Sequence, residues 1–172
     1  MERKPSPFSP ISLEEKLIYR KFTKATNGDH RFLRGDRWLE IYDIIKQYKL
    51  KSVLEFGAGI STLLFRHHNL SVTSCETDPN YMQFVKDLVD DKVDFRLWDN
   101  NVSPIAQSER FDLGLVDGAL PRNRQAEIAV SCCRFVALDD SVRDIKRSLW
   151  SLFTKYQRVD KDTTIISIFK II

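Results

Sequence analysis

The chain has 172 residues, of which 42% are hydrophobic and 30% charged, and its formal net charge is +3. That length suffices for one domain with a sizeable core, the composition is that of a soluble globular protein, and the mild charge gives no argument of its own for a nucleic-acid partner. No apolar run approaches the roughly 18 residues of a membrane span, and the polar start MERKPSPFSP is unlike a secretory signal, so a soluble cytoplasmic protein is expected.

Beyond a loose N-terminal arm, Ser12 and Glu15 form S-x-x-E, a capping box. It opens a helix whose inner face is predicted to be Leu13, Leu17, Ile18 and Phe22. Asn27-Gly28 marks a turn, and a second helix is predicted over 36–48 with Trp38, Tyr42, Ile45 and Tyr48 turned inward. The pattern then alternates. Strands are predicted over 51–56, 71–76, 93–98, 111–117 and 133–139, with the helical stretches STLLFRHH, PNYMQFVKDLVD and RNRQAEIAVS between most of them. A longer helix is predicted over 141–156, and the closing YQRVDKDTTIISIFKII carries two β-rich runs split by Lys161-Asp162.

Strands alternating with helices imply a doubly wound α/β fold, a mostly parallel seven-stranded sheet with helices on both faces. The final hairpin adds one antiparallel strand. Residues 1–50 are then an N-terminal arm and helical cap, and 51–172 the main domain of a single globular unit. Cys75, Cys132 and Cys133 lie in apolar strand-like runs without C-x-x-C spacing and are expected to be buried, reduced thiols.

The stretch VLEFGAGISTLLF (53–65) runs a strand into a glycine turn and a helix. In such sheets ligands bind at the carboxyl ends of the strands, near the switch in strand order. The turn Gly57-Ala58-Gly59 matches G-x-G but has Thr62 where a dinucleotide fingerprint has its third glycine. Glu76 closes the second strand at the roughly 20-residue offset of a carboxylate that binds ribose hydroxyls. Glu55 argues against a pyrophosphate in the same turn, because two negative groups repel in a low-dielectric cleft. It suits a cationic ligand. S-adenosylmethionine has an ammonium near a sulfonium, and a ribose for Glu76. Glu55 and Thr62 together disfavour an NAD-dependent oxidoreductase.

With E-F-G-A-G, Glu76 after its strand and Asp99 after the third, residues 50–172 resemble class I S-adenosylmethionine-dependent methyltransferases, which have a Rossmann-like sheet ending in a β hairpin. The resemblance implies that Gly57, Gly59, Ser61 and Thr62 form the cofactor turn, with Glu55 acting indirectly on the methionine amino end. It implies that Glu76 holds the ribose diol, that Trp98 and Asp99 flank the adenine, and that Asp117 serves cofactor and catalysis.

Asp117 ends the fourth strand and Asp139-Asp140 the fifth, so three carboxylates are expected at one cleft. A hard divalent cation such as Mg²⁺ or Ca²⁺ would relieve their repulsion. The arrangement resembles metal-dependent O-methyltransferases of the catechol and macrocin types. Asp117, Asp139 and Asp140 would then be metal ligands and the ion would orient an acceptor hydroxyl. Two features depart from that pattern. Gly118, Ala119, Leu120 and Pro121 follow Asp117 where the catechol enzymes have a lysine, so no base is assigned, and VDGALPRNRQAEI looks like the D-G…R segment of other small methyltransferases. Asp140 also reads as a helix N-terminal charge.

Arg122 and Arg124 read equally as anchors for an acidic group or as surface charges. His67 and His68 read as structural, and His30 carries no signal. The expected activity is O-methylation of a small hydroxylated acceptor, with or without metal help. Two alternatives stand beside it: a nucleic-acid or protein methyltransferase, kept open by Arg3, Lys4, Arg20, Lys21 and Lys24, and a non-catalytic nucleoside-binding relative. The acceptor's identity and the oligomeric state are left open.

Overall fold

Ser12 caps the first helix, α1 (Leu13–Ala25), through the reciprocal bonds of the capping box: Glu15 N–H donates to Ser12 Oγ at 3.1 Å, and Ser12 N–H to Glu15 Oε2 at 2.7 Å. The structure is a computed structural model describing residues 11–27, 33, 35–99, 101–118, 121–139, 149–160 and 166–171. In α1 the inner face differs from the expectation. Glu15, Tyr19 and Phe22 are buried and Ile18 partly so, whereas Leu13 and Leu17 are 67% and 54% exposed. The reason is that Glu15 has specific partners inside. Its Oε1 accepts from Trp38 Nε1 at 2.6 Å and lies 3.0 Å from His68 Nε2, so a carboxylate takes an inner position that hydrophobicity alone assigns to leucine.

The second helix, α2 (Gly35–Tyr48), starts one residue earlier than expected and buries Trp38, Ile41, Ile44 and Ile45, with Tyr42 and Tyr48 partly covered. Then come β1 (Ser52–Phe56), α3 (Ile60–His67), β2 (Ser71–Glu76), α4 (Pro79–Lys86), β3 (Val93–Leu97), β4 (Phe111–Val116), α5 (Arg122–Cys132) and β5 (Cys133–Leu138). The chain continues through a short helix α6 (Trp150–Phe153) into β6 (Gln157–Arg158) and β7 (Ser167–Lys170). The helix α4 stops four residues short of the predicted stretch, Cys132 ends a helix rather than lying in a strand, and most of the helix expected over 141–156 falls outside the described residues.

All seven strands form one sheet in the order β3-β2-β1-β4-β5-β7-β6. Every pairing is parallel except those of β7, which runs antiparallel to both β5 and β6. The chain moves outward from β1 through β2 to β3 and then returns so that β4 lies against β1. The switch in direction therefore falls between the carboxyl ends of β1 and β4. In a fold of this kind that is where a ligand crevice forms.

Two cores cover the two faces. Val53, Val72, Leu113, Leu115, Phe135 and Ala137 pack with the buried side chains of α1, α2 and α3, while Leu54, Phe56, Val116, Val136 and Leu138 pack with α5 and α6. Strand alternation then puts Glu55, Asp117 and Asp139 in phase with the first set, on the face covered by α1–α3. The cap is thus built into the same core as the sheet. Among the described residues no helix is long and apolar enough to cross a membrane.

Candidate functional site

The turn after β1 and the turn after β4 touch. Gly57 has φ +94°, a conformation L side chains rarely adopt, and a Cβ there would lie 2.7 Å from Gly118 Cα. A Cβ on Gly118 would in turn lie 2.8 Å from Gln125 Nε2 and 3.1 Å from the Phe56 carbonyl carbon. Backbone pairing continues just past the strands: Gly57 N–H donates to Cys75 O at 2.9 Å and Asp117 N–H to Phe56 O at 3.1 Å. Two glycines thereby let the two loops close on each other at the switch point. Gly59 is different, because a Cβ there would meet only the Tyr81 hydroxyl, 3.9 Å away. Gly59 is itself buried, but a small space lies beside it.

Glu55 lies beneath the turn with no solvent exposure, and its carboxylate accepts from the hydroxyls of Ser61, Thr62 and Ser74, the last at 2.8 Å. Burial raises its pKa to about 7, against the three hydroxyl bonds, which lower it, and with the Glu76 charge adding to the rise. Thr62 Oγ1 also accepts from Gly59 N–H at 3.0 Å. Thr62 therefore links the buried carboxylate to the glycine turn, a role that a third glycine could not fill. Ser61 and Thr62 direct their hydroxyls inward, so any effect they have on a ligand passes through Glu55 and the shape of the turn.

Glu76, nearly buried at the end of β2, reaches the same turn from the side. Its Oε2 accepts from Ala58 N–H at 3.1 Å, and its Oε1 accepts from the N–H groups of Thr77 at 2.6 Å and Asp78 at 3.1 Å. Next to it Asp78 caps α4, with Pro79 in the first turn. At the end of β3 the structure separates two residues that the sequence placed together. Trp98 is 2% exposed, packs its ring 5.5 Å from that of Phe56 in the α5-side core and donates its indole N–H to Val102 O at 2.7 Å. It is a core side chain rather than an open face for a base. Asp99 is exposed and accepts from Asn101 N–H at 2.9 Å, which holds its pKa below the usual carboxylate value.

On the β4 and β5 side, Asp117 and Asp139 come together past the paired strands, close enough for the Asp139 charge to act on Asp117. Removal from water and the neighbouring Asp139 charge push the Asp117 pKa well up, opposed by the Arg122 guanidinium. Asp139 has a fixed cation of its own. Arg37 Nη1 lies 2.7 and 2.8 Å from its two carboxylate oxygens, and both residues are buried. Arg122 donates from Nη1 to the Asp139 carbonyl at 3.0 Å. Asp140 lies outside the described residues, among which no three His, Cys, Asp or Glu side chains gather as metal ligands.

Arg37 is the residue that sequence reasoning missed. Its only local signal is its place in the first turn of α2 beside Trp38, and its partner is 102 positions away. The remaining candidate side chains have structural roles. His68 is locked against Glu15 and stacked on Trp38, Arg124 pairs with Glu127 on the surface, and the three cysteines are buried and free of disulfides, with Cys132 Sγ 3.8 Å from Cys133 Sγ.

No family model matches the chain, and no curated protein matches it by sequence. Solved structures do match. A Staphylococcus aureus protein proposed to be a caffeoyl-CoA O-methyltransferase is 16% identical with a TM-score of 0.68, covering 92% of this chain and 93% of that one. The O-methyltransferase from Bacillus cereus, solved in complex with SAH, is 14% identical with a TM-score of 0.65, covering 94% and 92%. An RNA methyltransferase assignment proposed for a Pyrococcus horikoshii protein goes with 12% identity, a TM-score of 0.58 and coverage of 93% and 97%. The chain shares the Rossmann-like, seven-stranded fold of these methyltransferases.

Proposed function

We propose that this protein is a methyltransferase that binds S-adenosylmethionine at the switch-point turn and methylates a hydroxyl of a small molecule. The observation that carries this reading is the turn itself: Gly57-Ala58-Gly59, with room for a Cβ beside Gly59, backed by buried Glu55 and flanked by Glu76 at the end of β2. The residues fit that cofactor. The space beside Gly59 suits close backbone approach, Glu76 sits beside Ala58 to accept from a ribose diol, and Asp99 is exposed at the end of β3, where an adenine would lie. Trp98 supports this edge from behind. Glu55, Ser61 and Thr62 shape the turn from below and add negative potential under a cationic ligand. Bound there, the cofactor supplies an electrophilic methyl group.

On the acceptor side, Asp117 stands just past β4, next to the cofactor turn through the Gly57–Gly118 contact. Its raised pKa makes its carboxylate a better proton acceptor than an ordinary aspartate, and Asp117 is the group that takes the acceptor's hydroxyl proton. The divalent ion expected from the acidic strand ends has no step in this reading, because Asp139 spends both carboxylate oxygens on Arg37.

A second reading, an RNA acceptor, is favoured by the exposed Arg20, Lys21 and Lys24 on α1. Transfer of labelled methyl groups from S-adenosylmethionine to a panel of hydroxylated small molecules, with RNA in parallel, separates the two. Labelled small-molecule ethers are expected. Labelling of RNA alone would favour the second reading, and labelling of neither with cofactor bound would favour a non-catalytic nucleoside-binding protein.

A further inference from the structure

We propose that Arg37 is the built-in cation of the acceptor site, holding on Asp139 the place that a divalent ion would need, so that Asp117 and Asp139 work as a metal-independent pair. The argument starts from parity. Asp117 and Asp139 follow adjacent parallel strands and share the phase of Leu115 and Ala137, so their side chains meet on the face covered by α2. Two neighbouring carboxylates away from water require a positive charge, a shared proton or both.

The structure supplies the positive charge from within the chain. Arg37 Nη1 is nearly equidistant from the two Asp139 oxygens, at 2.7 and 2.8 Å, and thus straddles the carboxylate as a chelated ion would. A bidentate Ca²⁺ or Mg²⁺ would sit about 2.0–2.6 Å from those oxygens, which is close enough to the guanidinium nitrogen to be excluded by overlap and by like charge. Asp139 is 4% exposed, leaving little room for the waters that a hard ion usually retains.

Arg37 is not a drifting surface charge. It is 8% exposed, and the next residue, Trp38, is fully buried against Phe65, with ring centroids 5.4 Å apart. The packing of α2 thereby sets where the guanidinium sits. The helical cap delivers a charge to the carboxyl end of the sheet, and Arg37 acts through Asp139 as a positioning residue. It fixes the Asp139 carboxylate in place beside Asp117. The claim about the cation stands independently of the cofactor. Only its consequence, activation of an acceptor hydroxyl without a metal, rests on the methyltransferase reading.

The test is calorimetric titration of the full chain with Mn²⁺, for the wild type, Arg37→Met, Asp139→Asn and the double variant. The wild type is expected to show no saturable site below about 1 mM, and Arg37→Met to gain one at least about tenfold tighter that Asp139→Asn removes again. Arg37→Lys, which keeps the charge, should stay blocked. A single wild-type Mn²⁺ site that Asp139→Asn abolishes would overturn the proposal. So would a folded Arg37→Met protein binding no more tightly than wild type. If Arg37→Met fails to fold, the wild-type and Asp139→Asn titrations decide the point alone. Binding of S-adenosylhomocysteine, measured on the same samples, reports separately on the cofactor reading.

Discussion

The two sides of the switch point bury carboxylates by opposite means. Below the β1 turn, Glu55 is surrounded by three neutral hydroxyls, and its pKa rises to about 7. Beyond β5, Asp139 is held by a guanidinium at 2.7 Å. Hydroxyls satisfy lone pairs but leave the charge costly, so Glu55 sits near the boundary between protonated and ionised at neutral pH. A fixed cation pins the charge and makes its own position the critical variable. The first arrangement suits a floor beneath a cationic ligand. The second suits a carboxylate that must stay in one place beside Asp117.

The largest effect is expected where the cation is fixed. Arg37→Ala strands a buried Asp139 charge and should cost about 3–5 kcal/mol of stability, read by urea unfolding. A loss below about 1 kcal/mol would mean that the pair is already well hydrated.

Glu55 should show its contrast through pH. Its folded pKa lies above the ordinary value of 4.5, so the folded state holds a proton that the unfolded chain releases. The associated stability is full below about pH 4.5 and is lost as pH rises toward and past 7, by up to about 3 kcal/mol. Glu55→Gln cannot ionise, so its stability relative to wild type should improve across that window. A difference that stays constant from pH 5 to 8 would show Glu55 charged throughout.

Much of this contrast was hidden in the sequence, and the reasons are physical. The strands were legible to within a residue or two because their apolar runs are bounded by turn residues, and α1 because its capping box is local. Glu55, Glu76 and Asp117 could be placed at strand ends for the same reason. Partner choice over long separations was not legible. The Arg37–Asp139 pair joins the cap to the sheet's far half, and the inward turn of Glu15 depends on Trp38 and His68, which no periodicity within α1 encodes. The burial of Trp98 was likewise decided by Phe56 across the sheet rather than by its own segment.

Gly57→Ala comes next, with an expected cost of about 2 kcal/mol from the positive φ and the collision with Gly118, and with weakened ligand binding at the turn. Thermal unfolding with and without S-adenosylhomocysteine measures both, and an unchanged Tm would show that the two loops yield easily. The smallest effect belongs to α1. Leu17→Gln should change stability by less than about 0.5 kcal/mol because the side chain is 54% exposed, and a loss typical of a core leucine would restore the inner face expected from hydrophobicity.

The central claim, that the switch-point turn holds S-adenosylmethionine, is tested most directly by calorimetric titration with S-adenosylhomocysteine, with NAD as the competitor and Glu76→Ala as the control. One site is expected, indifferent to NAD and weakened in folded Glu76→Ala by about 1.5–3 kcal/mol, the loss of charged-group hydrogen bonds. Binding of NAD without S-adenosylhomocysteine, or an affinity unchanged in Glu76→Ala, would contradict the account.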